Sequence, residues 1–393
     1  MDSASSTFLQ QLTAFPHRGA GSKYEPKAAK IISNELIGQG FKVDFQPFST
    51  PANYVSIVYW LIGGLLCGLL TVQWLGIWAV LITAFFAING LLYFDWRPSW
   101  LIFLPPLVKS HNIIGKADSL KEPKQKLILM AHYDTAPVSA LYRRQTPDSF
   151  RNTIRLSMLL MALAVVVAGL SFHLPENIYL LTIKGLLSFY FIAQAILGTI
   201  GYWQKGYTNG ASDNATGVVA ALATAQRLRP HLQHTQLEVV LTSAEEAGMI
   251  GAYHYWKNLQ KSKPIILKER TFLINFDTLG NGNLKLITQT GSMSLIEYNN
   301  VVTETAQKII REEKKFNHVT TGVWHTADFD SVWFVRDGYP CVTLAALDTQ
   351  GTMPNIHRPE DTLDHVDTRP MLEAILLAEA IALRLDSTPA LHS

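Results

Sequence analysis

Two long segments of this chain are nearly free of charge, and they constrain its fold more than any other feature. Residues 54–94 include no Asp, Glu, Lys or Arg. A helix needs about 20 apolar residues to cross the hydrocarbon core of a bilayer, so this segment predicts two membrane spans with a tight turn near Gln73 and Trp74. Residues 156–174 and 185–203 are also uncharged and predict a second pair. The alternative, core helices of a large soluble protein, is disfavoured because such helices seldom lack charge over this length.

The composition agrees with a membrane protein that also contains a folded domain. The chain is 48% hydrophobic and 16% charged, whereas an average soluble domain is roughly 25% charged. The net charge of +2 and the lack of a Lys/Arg block argue against nucleic-acid binding. Cys67 and Cys341 lie in apolar runs and are predicted to be buried thiols without a disulfide. No basic segment precedes an apolar core at the amino terminus, so no cleavable signal peptide is expected.

The predicted insertions divide the rest of the chain. Residues 1–50, 109–150 and 205–393 would form one domain, with hairpin insertions at 51–108 and 151–204. Four apolar runs predict buried strands, at 127–130, 237–241, 272–276 and 342–347. Helical patterns alternate with them at 216–229, 246–259, 295–314 and 369–385. This alternation predicts the α/β class, an α/β/α sandwich with a mostly parallel mixed sheet and four inserted transmembrane helices.

Five short polar clusters are distributed through the predicted domain, and most of them follow an apolar, β-prone run. Sites in open α/β sheets usually lie where strands end. Each cluster has an ordinary explanation when it is taken alone: a capped turn, a helix amino terminus or a surface histidine. Their joint occurrence instead favours a metal site. The clusters are His132 with Asp134, Asp213 with Asn214, Glu245 with Glu246, Asp277 and His357.

The residue types in these clusters suit metal-assisted hydrolysis. Of two adjacent glutamates, one can bind a metal while the other acts as general base towards the attacking water. Two metals held about 3.5–4 Å apart need a shared carboxylate, and an Asp that opens a helix after a Gly-rich turn, as Asp213 does, is well placed to provide it. Nitrogen and oxygen ligands without thiolates are typical of catalytic zinc sites, although cobalt or manganese would also be accepted.

The motifs that contain these residues resemble metallopeptidase family twenty-eight, the di-zinc exopeptidases that include bacterial leucyl aminopeptidases and glutamate carboxypeptidase II. They are His-Tyr-Asp-Thr, Gly-Ala-Ser-Asp-Asn-Ala-Thr-Gly, Thr-Ser-Ala-Glu-Glu-Ala-Gly, Asn-Phe-Asp-Thr and Asn-Ile-His-Arg-Pro-Glu-Asp-Thr, in the family's order. The resemblance implies the zinc exopeptidase fold and two zinc ions per chain. It also implies a cis peptide bond between Asp213 and Asn214.

The resemblance also assigns a role to each residue. His132, Asp213 and Asp277 would bind one zinc, and Asp213 would bridge to a second that Glu246 and His357 complete. Glu245 would be the general base, and Asp134 would orient the imidazole of His132.

One stretch departs from the family's pattern. Many members have Ser-Asp-His at the position where this chain has Phe329-Asp330-Ser331. This region commonly borders the substrate pocket of the family, so the substrate preference is not carried over. His325 and Asp328 lie nearby in the sequence and are candidates to replace the missing polar groups, but neither is assigned this role.

The sequence therefore predicts a membrane-anchored zinc-dependent exopeptidase, specifically an aminopeptidase that removes amino-terminal residues from peptides. Its partners would be a peptide substrate and the lipid bilayer, and the sequence indicates no oligomeric state. One alternative is a glutaminyl-cyclase-like acyltransferase, which shares the fold but uses one zinc. Another is a receptor or scaffold relative that has lost catalysis, although the complete set of predicted ligands and base argues against it.

The order of spans and motifs predicts a topology. An even number of crossings separates His132 from Asp213, so both can lie in one domain on one side of the membrane. Basic residues flank the spans on the domain side, whereas the distal turns at 71–76 and 171–178 have none. The positive-inside rule then places the domain in the cytoplasm, with a periplasmic or luminal position as the alternative. The basic residues are Arg97, Lys109, Arg143, Arg144, Arg151, Arg155 and Lys205.

The site itself is predicted to face the bilayer. If residues 111–116 pair antiparallel with both neighbouring strands, the strands at 41–48 and 127–131 end at the same edge of the sheet. Both hairpins would then leave the domain beside the predicted metal site.

Overall fold

The computed structural model describes residues 3–143, 147–262 and 266–387. Arg144, one of the predicted flanking basic residues, lies outside these ranges. The strands in the described ranges are β1 Lys42–Pro51, β2 Leu107–Ala117, β3 Gln125–His132, β4 Thr235–Thr242, β5 Thr271–Asp277, β6 Asn283–Thr290, β7 Ile296–Glu297, β8 Thr320–Trp324 and β9 Cys341–Leu347. These nine strands form one mixed sheet in the order β1-β2-β4-β3-β5-β9-β6-β7, with β8 paired to β6.

The centre of the sheet is parallel, and β4, β3, β5 and β9 run side by side in one direction. Strands that are covered on both faces carry continuous apolar runs, which explains why these four could be predicted from the sequence. Every residue of β5 and β9 is buried. In contrast, β8 has mostly exposed or half-buried residues, so its sequence lacks this signal, and it was not predicted.

Helices cover both faces of the sheet, which confirms the predicted sandwich. The described helices are α1 Ser3–Thr13, α2 Glu25–Gly38, α3 Tyr54–Leu75, α4 Ile77–Phe94, α5 Pro147–His173, α6 Ile178–Lys205, α7 Thr216–Leu228, α8 Ile250–Lys261, α9 Val301–Glu312, α10 Val332–Arg336 and α11 Arg369–Ser387. One face is covered by α1, α2, α7, α9 and α11, and the other by α8 and α10.

Two predicted helices begin later than expected. Helix α8 was predicted to begin at Glu246, but Gly248 and Met249 have positive φ values of 121° and 53°, which no α-helix accommodates. The two glutamates therefore lie in a turn before the helix. Helix α9 begins at Val301, because the side chain of Asn300 accepts hydrogen bonds from the backbone of the first helical turn.

The four apolar helices α3–α6 are long and apolar enough to cross a membrane, by length and composition. The uncharged segment 54–94 forms one helical hairpin and the segments 156–174 and 185–203 together form a second, as predicted; the first turn lies at Gly76, slightly later than expected. Buried side chains from α3, α4, α5 and α6 form a core that is separate from the cores flanking the sheet. Cys67 is exposed on the outside of α3, so the prediction that it is buried is wrong, whereas Cys341 is buried.

The hairpins leave the domain at the edge of the sheet that was predicted. Strand β2 pairs antiparallel with both β1 and β4, and β4 is parallel to β3. The carboxyl ends of β1 and β3 therefore emerge together. Helix α3 begins three residues after β1 ends, and His132 is the last residue of β3.

Candidate metal centre

All five predicted ligands and the predicted base converge at the carboxyl edge of the parallel strands. His132 and Asp277 are the last residues of β3 and β5, which are neighbours in the sheet. Glu245 and Glu246 follow the end of β4, on the other side of β3. Asp213 precedes α7, and His357 lies in the loop after β9.

Asp213 lies between the two histidines. Its Oδ1 atom is 3.2 Å from Nε2 of His132, and its Oδ2 atom is 3.4 Å from Nε2 of His357. Further carboxylates face these same nitrogens. Oδ2 of Asp277 lies 3.7 Å from Nε2 of His132, and Oε2 of Glu246 lies 3.0 Å from Nε2 of His357. Three groups of possible metal ligands converge here, and two of them, His132–Asp213–Asp277 and Asp213–Glu246–His357, share the Asp213 carboxylate. The third consists of His132, Glu245 and Glu246.

Glu245 lies at the side of this arrangement. Its Oε2 atom is 4.0 Å from Nε2 of His132, and its side chain is 13% exposed, compared with 6% for that of Glu246. Burial raises the pKa of Glu245, and the nearby imidazole of His132 only partly offsets this. Burial also raises the pKa values of Glu246 and Asp277 to about 7.

The cluster fits a pair of divalent cations. Four carboxylates converge, two of them buried and two half-buried, and in the described ranges no Lys or Arg forms an ion pair with them. Oε1 of Glu246 is buried without a hydrogen-bond partner. Uncompensated buried charge is costly, so such a cluster calls for positive charge. Two divalent ions would balance four carboxylates, and imidazole nitrogens with carboxylate oxygens are ligands that zinc accepts. The four carboxylates are those of Asp213, Glu245, Glu246 and Asp277.

Asp134 connects two parts of the cluster. Its Oδ1 atom lies 3.5 Å from Nδ1 of His132. Its two oxygens also accept hydrogen bonds of 3.2 and 3.3 Å from the backbone N–H groups of Glu245 and Glu246. One carboxylate therefore positions both the imidazole and the turn that carries the glutamates. Residues placed behind the ligands in this way orient them for the metal.

The turn that carries Asp213 is held on two sides. The peptide bond between Asp213 and Asn214 is cis, as the resemblance implied. The Asn214 side chain donates to the carbonyl of Phe276 at 2.9 Å and accepts from the N–H of Thr278 at 3.1 Å, which ties this turn to the end of β5. On the other side, the carboxylate of Asp361 accepts from the N–H groups of Ser212 and Asp213 at 2.7 and 3.2 Å.

Arg18 is part of the support, and sequence reasoning missed it. Its guanidinium is fully buried and donates to the carbonyls of Tyr133 and Gly210, both at 2.8 Å. Burial lowers the pKa of Arg18 to about 10, although Asp361, Asp134 and Asp213 favour its charged form. Arg18 thus joins the segments that carry Asp134 and Asp213. A single arginine in a polar stretch has no sequence signal that distinguishes it from a surface residue.

The region that departs from the family's pattern also contributes to the site. Asp330 is fully buried and accepts a hydrogen bond from the hydroxyl of Thr242. Asp328 lines the cavity beside the cluster; its Oδ1 atom accepts from Thr290 at 2.9 Å, whereas its Oδ2 atom has no hydrogen-bond partner. His325 hydrogen-bonds to Gln289 at 2.7 Å and is not part of the cavity wall.

A cavity of about 250 Å³ opens beside the cluster and is lined by all five predicted ligands and Glu245. Helices α3, α5 and α6 form much of its remaining wall. The ring of Tyr142, which precedes α5, packs on the imidazole of His357 with 4.6 Å between ring centroids. Among the described side chains that line the cavity there is no Lys or Arg.

Comparison with known sequences agrees with this geometry. The model of peptidase family M28 matches residues 196–381, which include Glu245 and every predicted ligand except His132. The probable lipoprotein aminopeptidase LpqL of Mycobacterium tuberculosis is 28% identical over 187 residues, covering 40% of this chain and 36% of the relative. The chain spans less than half the length of the curated relatives that it matches.

Solved structures with this fold include two with different activities. A leucine aminopeptidase precursor from Bacteroides thetaiotaomicron aligns with a TM-score of 0.57 and 14% identity, covering 98% of this chain and 96% of that one. A glutaminyl cyclase from the same organism aligns with a TM-score of 0.58 and 14% identity, covering 98% and 97%. The fold is therefore that of the zinc exopeptidases, and at this identity the likeness extends to the fold alone.

Proposed function

Because residues 196–381 match the model of peptidase family M28, we propose that the chain is a membrane-anchored metallo-aminopeptidase. Residues 1–50, 109–150 and 205–393 would form the peptidase domain, and 51–108 and 151–204 would anchor it in the bilayer as two helical hairpins. The central support is the position of Asp213 between two imidazoles, 3.2 and 3.4 Å from their Nε2 atoms. A carboxylate in this position can serve two metal ions at once.

Each metal would have its own set of ligands. His132, Asp213 and Asp277 would hold one zinc, and Asp213, Glu246 and His357 would hold the other. When bound, two such ions would supply Lewis acidity for the scissile carbonyl and lower the pKa of water. The other tasks fall to the protein: Asp134 orients His132, while Asn214 and Asp361 hold the Asp213 turn.

Glu245 would move the proton. It would accept a proton from the attacking water while the water oxygen bonds to the scissile carbonyl carbon. It would then deliver the proton to the amide nitrogen as the carbon–nitrogen bond breaks, which releases an amino acid and the shortened peptide. Burial raises the pKa of Glu245, and a raised pKa makes a carboxylate a stronger proton acceptor.

The charge of the cavity favours an aminopeptidase over a carboxypeptidase. A carboxypeptidase must neutralise the terminal carboxylate of its substrate, usually with an Arg or Lys. The described lining includes no such residue, but it does include the carboxyl groups of Glu245 and Asp328 in addition to those of the candidate ligands. An acidic lining suits a substrate with a free, protonated amino terminus.

The anilide of leucine tests this proposal in detergent-purified, zinc-loaded protein. We expect release of nitroaniline from leucine p-nitroanilide and none from its N-acetylated form. Peptides that begin with glutamine should release free glutamine, not a cyclised product. Cleavage of the acetylated compound, cyclisation of glutamine, or no turnover in a panel of amino-acid anilides would each contradict the proposal.

A further inference from the structure

The cavity beside the metal cluster continues into the membrane part of the protein. Its wall includes Val58, Leu61 and Leu65 of α3, Met161 of α5 and Phe191 of α6. These are residues of the helices that are long and apolar enough to span a bilayer. One continuous space therefore joins the candidate catalytic cluster to the interior of the helical bundle.

The spacing of the lining residues indicates how deep this space is. Tyr54 and Leu65 both line it and are eleven positions apart in α3. At 1.5 Å per residue, the space extends about 16 Å along the helix. Phe150 and Met161, also eleven positions apart, give the same depth along α5. This is about half of the roughly 30 Å hydrocarbon core of a bilayer.

The chemistry of the wall changes with depth. Ser157 lies seven positions from Phe150 on α5, as Leu61 does from Tyr54 on α3, and Gln194 lies within one turn of Phe191 on α6, so these polar groups line the middle of the space. The deepest part is formed by Leu65, Met161 and Phe191, each of which is at most 3% exposed. These side chains offer no hydrogen bond. A polar group or a peptide backbone that entered the deep end would therefore lose its hydrogen bonds to water without replacement.

We propose that this intramembrane space binds the side chain of the substrate's amino-terminal residue, and that this side chain is long and apolar. The inference rests on the proposed aminopeptidase function. The occupant must reach the cluster, where the scissile bond lies, and the part of it that fills the deepest section must carry no hydrogen-bonding groups. An alkyl or aryl side chain meets both conditions. The inserted helices are then part of the substrate site and not only an anchor.

The preference for a long, apolar amino-terminal side chain can be measured with the unaltered protein. A series of 2-amino-alkanoic acid p-nitroanilides, from alanine to chains of ten carbons, would probe the space at increasing depth. We expect kcat/KM to rise by about fourfold for each added methylene group, well beyond the length of leucine, because each buried methylene contributes comparably to binding. A rate that peaks at leucine or shorter would overturn the inference while leaving the aminopeptidase function intact. No turnover of any anilide would instead contradict the proposed function.

A variant pair links the preference to the helix wall. Leu61→Trp would narrow the space about 10 Å from Tyr54 along α3. It should lower kcat/KM at least tenfold for the long-chain anilides and leave the alanine anilide within about twofold. Leu70→Trp places the same residue on the exposed side of the same helix, where Leu70 is 53% exposed, and should change neither. If Leu61→Trp lowers kcat/KM equally for short and long substrates and Leu70→Trp does not, the Leu61 variant has damaged the fold. The chain-length series of the unaltered protein then decides whether the space binds the side chain.

Discussion

The hydroxyl of Tyr93 donates a hydrogen bond of 3.0 Å to the carbonyl oxygen of Ala247. Tyr93 lies near the end of the apolar helix α4, and Ala247 directly follows Glu246. The Tyr93 ring also lies close over Gly248, where an added Cβ would meet it at 3.1 Å. The first helical hairpin thus packs against the turn that carries the candidate base and one candidate ligand.

This contact predicts that the apolar helix α4 influences catalysis. Tyr93→Phe would leave the buried carbonyl of Ala247 without its partner, which costs about 1–3 kcal/mol. We expect a several-fold lower kcat, unchanged zinc content and a lower thermal unfolding midpoint. Tyr59→Phe is the control, because its hydroxyl contacts Thr199 at 2.6 Å within the helical bundle and does not touch the turn. A kcat for Tyr93→Phe equal to that of the Tyr59 control would show that the contact is only structural.

The second prediction separates the two adjacent glutamates. Glu245→Gln removes a proton acceptor that contributes roughly 10²–10⁴-fold to the rate, and it should leave two metals bound. Glu246→Gln should instead lower the metal content, because Glu246 is assigned as a ligand. Metal analysis and anilide hydrolysis of both variants check this. If Glu245→Gln loses metal or keeps near-normal activity, the two roles have been exchanged.

The third prediction concerns the role of Asp213 as a ligand shared by two zinc ions. Asp213→Ala should cost both zinc ions, since its carboxylate faces both imidazoles, at 3.2 and 3.4 Å. His357→Ala should leave about one. Asp118→Ala, at a side chain that is 78% exposed, is the control and should leave two. Equal losses in the Asp213 and His357 variants would contradict the assignment of ligands.

The fourth prediction concerns the side of the membrane on which the domain lies. The distal turns at 71–76 and 171–178 contain no Lys or Arg, so the positive-inside rule places the domain in the cytoplasm. An alkaline phosphatase that is active only after export, fused after Ser393, should therefore be inactive. Full phosphatase activity would place the domain in the periplasm or a lumen.

Much of this account could be predicted from the sequence because its signals are local. The central strands are buried on both faces and therefore read as apolar runs, and the candidate ligands follow them directly. The uncharged helices are equally visible, and the antiparallel pairing of β2 that places both hairpins at one edge was expected. The predicted carboxyl ends of the central strands therefore indicated the position of the candidate site.

The parts that could not be predicted depend on contacts between distant segments. Arg18 reaches the carbonyls of Tyr133 and Gly210 from more than 100 positions away in the chain. Tyr93 contacts Ala247 across a similar distance in sequence. The late start of α8 depends on positive φ values at Gly248 and Met249, which the helical pattern of the following residues concealed.

The zinc content of the purified chain, measured together with activity, tests the central claim most directly. Removing metal with a chelator should abolish hydrolysis of leucine p-nitroanilide, and titration with zinc should restore it with two ions bound per chain. Two ions are expected because two imidazoles and four carboxylates converge at the site, and the Asp213 carboxylate faces both imidazoles. Saturation at one zinc per chain, or full activity in the metal-free protein, would contradict the account.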